Sequence, residues 1–367
     1  MAVYIFNMTW AIVMATIAVR YAKGVYNNVL KKEKILPNAF FVWLILISFM
    51  SFYALRWETG TDFVNYYSFY FTYGNTSISE LIGTRDWGFK VLTSVVYKIW
   101  PDNFIFYNYI LAALTYIPVV LTFRKYSNNF IFTIVLYITM LTYYWPYNGV
   151  RQSIACSICF CAYPFLYDKK YFKYVLYVLV AYLFHSTALF LLPFMFILNR
   201  KSWSKFIVFS LTLLSVSFIF LSSIWDKVIH FLEIIGQEKM ANDYRVYDYS
   251  DDGANILRIA VVMLPILISF IFYKPLKRNN QNIDLLINMS LMCGVFMLFA
   301  SSVTLLGRLS NYFIFFNALL IPEFTGLFKG KDKSLFQVIT VVLFFIYMCM
   351  LLPVDSDLLP YRFIFNR

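Results

Sequence analysis

The sequence predicts an all-α polytopic membrane protein of about ten transmembrane helices, supplemented by re-entrant or interfacial segments, with its functional surface outside. Three observations predict it. Of the 367 residues 61% are hydrophobic and 14% charged, whereas a soluble chain carries about a quarter charged residues. The apolar residues fall in runs of roughly 17 to 22, long enough to cross about 30 Å of hydrocarbon. The 31 Lys and Arg crowd into short segments between those runs, the pattern that keeps loops in the cytoplasm. The same composition excludes disorder, fibrous repeats and a secreted disulfide scaffold, and 1–367 reads as a single integral membrane domain.

The first apolar run, 3–19, has no basic residues before it and no small-residue cleavage signal after it. It is therefore expected to be a retained span rather than a removed signal peptide. Further spans are expected near 39–55, 104–123, 130–146, 152–167, 206–224, 255–273, 283–305, 309–327 and 335–352. Six loops, 20–38, 124–129, 168–173, 199–205, 274–282 and 328–334, hold most of the basic residues. All six face the cytoplasm if the N-terminus is outside and if 56–103 stays outside as an external loop with an interfacial segment at 87–100. The stretch 174–198 must then enter and return as a hairpin, the alternative being one tilted span. The net charge of +12 faces anionic lipid on the inner leaflet in this arrangement, and no nucleic-acid partner is needed to explain it.

Cys156, Cys159, Cys161, Cys293 and Cys349 lie inside apolar stretches and make no disulfide framework. Cys156-x-x-Cys159 has no histidine near it in sequence, so these are read as small buried thiols and no metal site is expected. The external loop 226–253 is acidic (Asp226, Glu233, Glu238, Asp243, Asp248, Asp251, Asp252). It is either a plain solvated loop or a mobile cover over an external site. His230 within it reads as a loop residue.

The chemistry lies in the charges left outside: Arg56, Arg85, Arg151, Arg258 and Arg308 at or near external span ends, with Glu58, Asp62 and Asp86 close by in sequence. Arg151 follows the turn Trp145-Pro-Tyr-Asn-Gly149 at the start of a span. A cation there opposes the helix dipole, an unfavourable choice unless an anion is bound; the alternative is an arginine reaching to lipid headgroups. Arg308 repeats the arrangement after Gly307, so two phosphate or pyrophosphate contacts are expected. Arg56 and Asp62 flank Gly60 as a candidate cation and base, or as a simple salt bridge. His185 interrupts the apolar run 174–198, and an ionisable group at membrane depth is a functional candidate; its bland reading is a neutral imidazole bonded to a carbonyl at a helix break. Trp57, Tyr66, Tyr67, Trp87, Trp145 and Tyr147 near the arginines would suit stacking on sugar rings, or belong to the interfacial aromatic belt.

In order and spacing, Arg56-x5-Asp62-x3-Tyr66, Asp86-Trp-Gly-Phe89, Asn148-Gly-Val-Arg-Gln-Ser-Ile-Ala155, Phe184-His-Ser-Thr-Ala188 and Gly307-Arg-Leu-x2-Tyr-Phe313 resemble the EpsG-like branch of the Wzy-type polysaccharide repeat-unit polymerases. The resemblance spans roughly residues 50 to 315, with Asp86 standing where that pattern has Glu. It implies a C-type glycosyltransferase-like membrane enzyme with an external active site, in the bacterial plasma (inner) membrane and facing the periplasm or exterior. Such an enzyme joins lipid-linked oligosaccharide repeat units into O-antigen, capsule or exopolysaccharide, using polyprenyl-diphosphate-linked oligosaccharides and no cofactor, with membrane lipid and a chain-length regulator as further partners. Catalytic roles would fall to Asp62, Arg151, Arg308 and His185. Substrate binding would fall to Arg56, Arg85, Asp86, Asn148, Gln152, Tyr66, Tyr312 and Trp145. Asp62 is favoured over His185 as base because the topology puts it outside, whereas His185 is expected deeper. The alternatives are a lipid-oligosaccharide flippase or other transporter, for which internal repeats and core charges would be expected, an O-antigen ligase, and a membrane O-acetyltransferase.

Overall fold

The computed structural model describes residues 1–27, 32–219, 227, 230, 234, 255–300, 304–354 and 357–366. Most of the acidic loop 226–253, expected as either a solvated loop or a mobile cover, therefore lies outside the described residues. The described chain is predominantly helical and divides into two compact units, one made of Met1–Pro193 with Ile321–Arg367 and the other of Phe194–Leu320.

The first unit holds α1 (Ala2–Arg20), a β-hairpin of β1 (Lys23–Asn27) and β2 (Lys32–Leu36), α2 (Ala39–Ala54) and the two-residue strand β3 (Arg56–Trp57). Next come α3 (Phe63–Gly74), α4 (Ile78–Leu81), α5 (Trp87–Ile99), α6 (Phe104–Tyr126), α7 (Phe130–Thr139), α8 (Pro146–Cys161), α9 (Tyr163–Tyr167) and α10 (Tyr171–Phe184). A 3-10 turn, Ser186–Leu191, follows the last of these. The second unit holds α11 (Met195–Leu198), α12 (Lys205–Ile219), α13 (Ile256–Ile271), α14 (Tyr273–Asn279), α15 (Ile283–Phe299), α16 (Thr304–Ser310) and the beginning of α17 (Ile314–Glu323). The chain closes in the first unit with α18 (Gly330–Leu351) and β4 (Arg362–Phe363).

Among the described residues three helices are long and apolar enough to cross a membrane, Ala2–Arg20, Phe104–Tyr126 and Gly330–Leu351, or four if the pair Ile256–Ile271 and Tyr273–Asn279, bent by 82°, is one span. The expected ten full spans are thus not what these helices provide. The shortfall has a local cause: several apolar runs break before they reach full length. The run 130–146 stops at Thr139, where Leu141 takes a left-handed conformation with φ of 62°. At 1.5 Å per residue α7 is then about 15 Å long, half a bilayer.

Irregular backbone at such depth is tolerated only where it is enclosed by protein, and here it is. Residues 140–144 are buried, the Tyr143 carbonyl accepts from the Tyr116 hydroxyl at 3.2 Å, and the Tyr143 hydroxyl donates to the Phe49 carbonyl at 3.0 Å. Asn7 donates to that same hydroxyl at 3.1 Å and accepts from Ser48 at 2.9 Å. These bonds satisfy a buried polar network that an apolar core would otherwise penalise.

In the first unit the basic loops gather at one end. Arg124 Nε donates to the Pro37 carbonyl at 2.7 Å, the Asn38 N–H to the Ala18 carbonyl at 2.8 Å, and Asn128 Nδ2 to Glu323 Oε2 at 3.4 Å. From there α2 carries the chain to the other end, where β3 pairs antiparallel with β4, Arg56 opposite Phe363 and Trp57 opposite Arg362. The Tyr4 hydroxyl donates to the Leu358 carbonyl at this second end. N-terminus, Arg56 loop and C-terminal strand therefore lie together, away from the basic loops of this unit. In the second unit Asp284 ties two basic loops together: it accepts from the Ser202 N–H at 3.0 Å and the Tyr273 hydroxyl at 2.8 Å, and pairs with Lys277.

Candidate active site

The residues singled out by sequence in the first unit collect at the end away from the basic loops. Helix α8 begins at Pro146 and is kinked at Gly149, whose φ of −144° and ψ of 49° are not helical. Regular helix starts just beyond, so Arg151 stands in its first turn, as its sequence context predicts. The anion that this position calls for is part of the protein. Arg151 Nη1 lies 3.0 Å from Asp86 Oδ2, with the arginine side chain 34% exposed and the aspartate side chain 2%. The pair presents its cation outward and keeps its carboxylate inside.

Asp86 is fixed by more than charge. Its other oxygen, Oδ1, accepts from the Ser186 N–H at 2.9 Å. Its backbone is left-handed, with φ of 55°, a region that aspartate tolerates better than most residues. Gly88, two residues on, allows α5 to press on the end of α10: a Cβ there would lie 2.6 Å from Leu183 Cβ and 2.8 Å from the Leu183 carbonyl oxygen. The Asp-Trp-Gly-Phe element thus brings Asp86 to the break after α10. His185 sits at that break with φ of −154° and ψ of 121°, and its Nδ1 lies 2.7 Å from Thr187 Oγ1. Because the next N–H binds Asp86, His185 lies beside that carboxylate.

Arg56 corrects another expectation. It is 1% exposed and is not a surface cation available to a ligand. Its guanidinium lies over the Tyr53 ring at 4.0 Å, the Tyr147 ring at 4.5 Å and the Phe63 ring at 5.8 Å. Its Nε and Nη1 find no hydrogen-bond acceptor among the described residues, and ring faces supply much of its surroundings. Of the acids near it in sequence, Glu58 pairs with Arg362 at 3.0 Å, and Asp62 precedes α3 without capping it. Sugar stacking by Tyr147 is excluded by the same cage, since a face turned to Arg56 cannot meet a sugar. Trp57 and Tyr67 likewise engage Phe63 and each other.

The loop between Arg56 and Asp62 is locked at Gly60, which has φ of 93°, and a Cβ there would stand 2.7 Å from the Tyr147 carbonyl oxygen and 2.8 Å from Asn148 Oδ1. Thr61 Oγ1 donates to Asn148 Oδ1 at 3.1 Å, and the Gly60 N–H to the Asp357 carbonyl at 2.9 Å. Gly60→Ala is therefore expected to destabilise the protein by about 2 kcal/mol or more, combining left-handed strain with overpacking. A lowered thermal unfolding midpoint checks this.

Tyr66 is buried. Burial pushes its phenol up to about 12, an effect the Asp62 carboxylate adds to and the Arg151 guanidinium opposes, which puts all three groups in one neighbourhood. It stays a protonated donor at neutral pH. Gln152 is buried beside Arg151 and Trp145 is half-buried against Gly149. Arg85 is exposed. It forms no ion pair with Asp86, its neighbour in sequence, among the described residues. Sequence reasoning missed Lys90, one helical turn from Asp86, whose Nζ donates to Thr84 Oγ1 at 2.9 Å. An i, i+4 spacing from Asp86 was the available signal.

Arg308 and Tyr312 belong to the second unit. The expectation that Gly307 makes a turn and Arg308 opens a helix is overturned: both lie within α16, with Arg308 exposed in its last turn, where the dipole favours a cation. Gly307 is there for packing, since a Cβ would approach Ala300 Cβ to 2.6 Å. Tyr312 is buried just after that helix. Cys156, Cys159 and Cys293 are free and buried.

Fold and site together define a membrane protein whose first unit gathers an aromatic-caged arginine and an arginine–carboxylate pair at the end opposite that unit's basic loops. The chain belongs to the EpsG family, whose family model matches residues 38–363. This is a family of exopolysaccharide or Wzy-type polymerase-like proteins. Neither the curated proteins nor the solved structures include a match to the chain.

Proposed function

We propose that the protein is a polysaccharide repeat-unit polymerase of the bacterial plasma membrane, working on the outer face. It transfers a growing glycan from polyprenyl diphosphate to a lipid-linked oligosaccharide repeat unit. The observation that carries this reading is the Arg151–Asp86 pair at 3.0 Å, a partly exposed guanidinium anchored by a buried carboxylate. A guanidinium has five donors, so Arg151 can keep Asp86 and still offer N–H groups to a second anion.

In the proposed reaction a hydroxyl of the incoming unit attacks the anomeric carbon of the growing glycan. The new carbon–oxygen bond forms as the bond to the diphosphate breaks, and polyprenyl diphosphate leaves with the electron pair. Arg151 stabilises the charge that develops on the departing oxygen. The hydroxyl proton passes to Asp62, which shares the Tyr66 neighbourhood with Arg151; His185, bonded to Thr187, is the second candidate base. A single displacement inverts the anomeric configuration. Guanidinium groups supply the positive charge, so the reaction is proposed as metal-independent and free of cofactors. For Arg308, in the second unit, the support for a phosphate role is the resemblance and its exposure, tested separately by Arg308→Ala.

Deleting the gene and separating the surface polysaccharide by size tests the reading. The expected result is collapse of a ladder to a single repeat unit, restored by the wild type and not by Arg151→Ala. Loss of even the single unit would point to a flippase or a ligase instead.

A further inference from the structure

Asp86, together with Asp62 near Arg151, supplies two negative charges to a neighbourhood of three cations, Arg151, Lys90 and Arg85. Its two oxygens are occupied by Arg151 and the Ser186 N–H, and among the described residues neither Arg85 nor Lys90 forms an ion pair. Lys90 feels Asp86, Arg151 and Arg85 at once, and burial lowers its ammonium below the ordinary lysine value. A half-buried surplus of positive charge is costly unless something negative completes it.

Ring contacts help place the two cations. Arg151 Cζ lies 5.9 Å from the centroid of Phe69, and Lys90 Nζ lies 5.7 Å from the centroid of Tyr73. Phe69 and Tyr73 are four residues apart on α3, one turn, and their rings stack with centroids 5.2 Å apart. Lys90 also feels the Asp86 carboxylate and the Arg151 guanidinium, so the two cations share one neighbourhood. Thr84 holds the lysine in place through its hydroxyl. Each can meet one phosphoryl group of a diphosphate.

We infer that Lys90 takes the second phosphoryl group of a diphosphate whose first is held by Arg151, with exposed Arg85 adding to the field that attracts it. This rests on the polymerase reading of Arg151 and extends it to a residue that neither sequence nor family membership assigned. Lys90 is a binding residue here, with no part in proton transfer.

The test uses the full-length protein in lipid nanodiscs, titrated with inorganic pyrophosphate and, separately, orthophosphate. The wild type is expected to prefer pyrophosphate. Lys90→Gln should weaken pyrophosphate binding about tenfold, the scale of one charge-assisted hydrogen bond, and bring it near the orthophosphate value. Lys90→Arg should restore the preference, and the thermal unfolding midpoint of Lys90→Gln should match the wild type. If Lys90→Gln keeps the wild-type preference while Arg151→Gln loses binding, the inference about Lys90 is wrong and the reading of Arg151 stands. If Arg151→Gln also binds pyrophosphate as the wild type does, the diphosphate site itself is misplaced.

Discussion

Arg151→Ala is expected to reduce polymerisation at least about 100-fold, the loss typical when one donor to a developing oxyanion is removed. The guanidinium anchors on Asp86 through Nη1 at 3.0 Å and leaves about a third of its side chain, 34%, open, so the group that would meet the leaving diphosphate is lost. Arg151→Lys should not restore activity fully, because a single ammonium cannot hold Asp86 and present a planar fork to a phosphate. Removing the arginine also strands a buried carboxylate, which costs about 3–5 kcal/mol in such pairs. The double variant Arg151→Ala with Asp86→Asn removes that charge. It should recover folding, measured by detergent size exclusion and thermal unfolding, without recovering polymer length on a gel. Recovery of both would assign Arg151 to structure alone.

Asp86→Ala should have the second largest effect, on stability and activity together. It leaves the Ser186 N–H without its acceptor and Arg151 without its anchor. Leaving a part-buried N–H unsatisfied is expected to cost about 1–3 kcal/mol, read as a lowered unfolding midpoint and poor recovery from membranes. Asp86→Glu keeps a carboxylate at this place on a longer side chain. It incurs left-handed strain of about 1–2 kcal/mol, since φ is 55°, and it should retain activity within about tenfold if the longer side chain still reaches Arg151. An inactive, fully folded Asp86→Glu would mean that carboxylate placement, and not merely its charge, sets the geometry of Arg151.

The grouping of basic loops in the first unit was legible in the sequence because lysines and arginines mark loops whatever the helices do between them. Arg124 meeting Pro37 joins two of those basic loops; the pairing of Arg56 with Phe363 at the other end is tertiary and was not legible. Span number was not legible. Apolar length alone cannot reveal that Leu141 turns left-handed and stops α7 after ten residues, since a buried broken helix is as apolar as an unbroken one.

Site residues divide in the same way. Arg151 was identified from a local conflict, a cation at a helix start. Its resolution by Asp86, 65 residues earlier, is a tertiary fact that spacing does not encode. Arg56 was taken for a ligand contact because nothing nearby in sequence announces that Tyr147 will close over it. Gly307 looked like a turn because a glycine needed for a close helix approach and a glycine needed for a turn are the same letter.

The most direct measurement is polymerisation by the purified protein in nanodiscs, supplied with a polyprenyl-diphosphate-linked repeat unit and nothing else that carries sugar. The account predicts glycans of increasing length on the lipid, with one polyprenyl diphosphate released for each unit added, and neither product from Arg151→Ala. Unchanged substrate in the wild-type reaction, or movement of the intact lipid-linked unit across the bilayer without elongation, would contradict it.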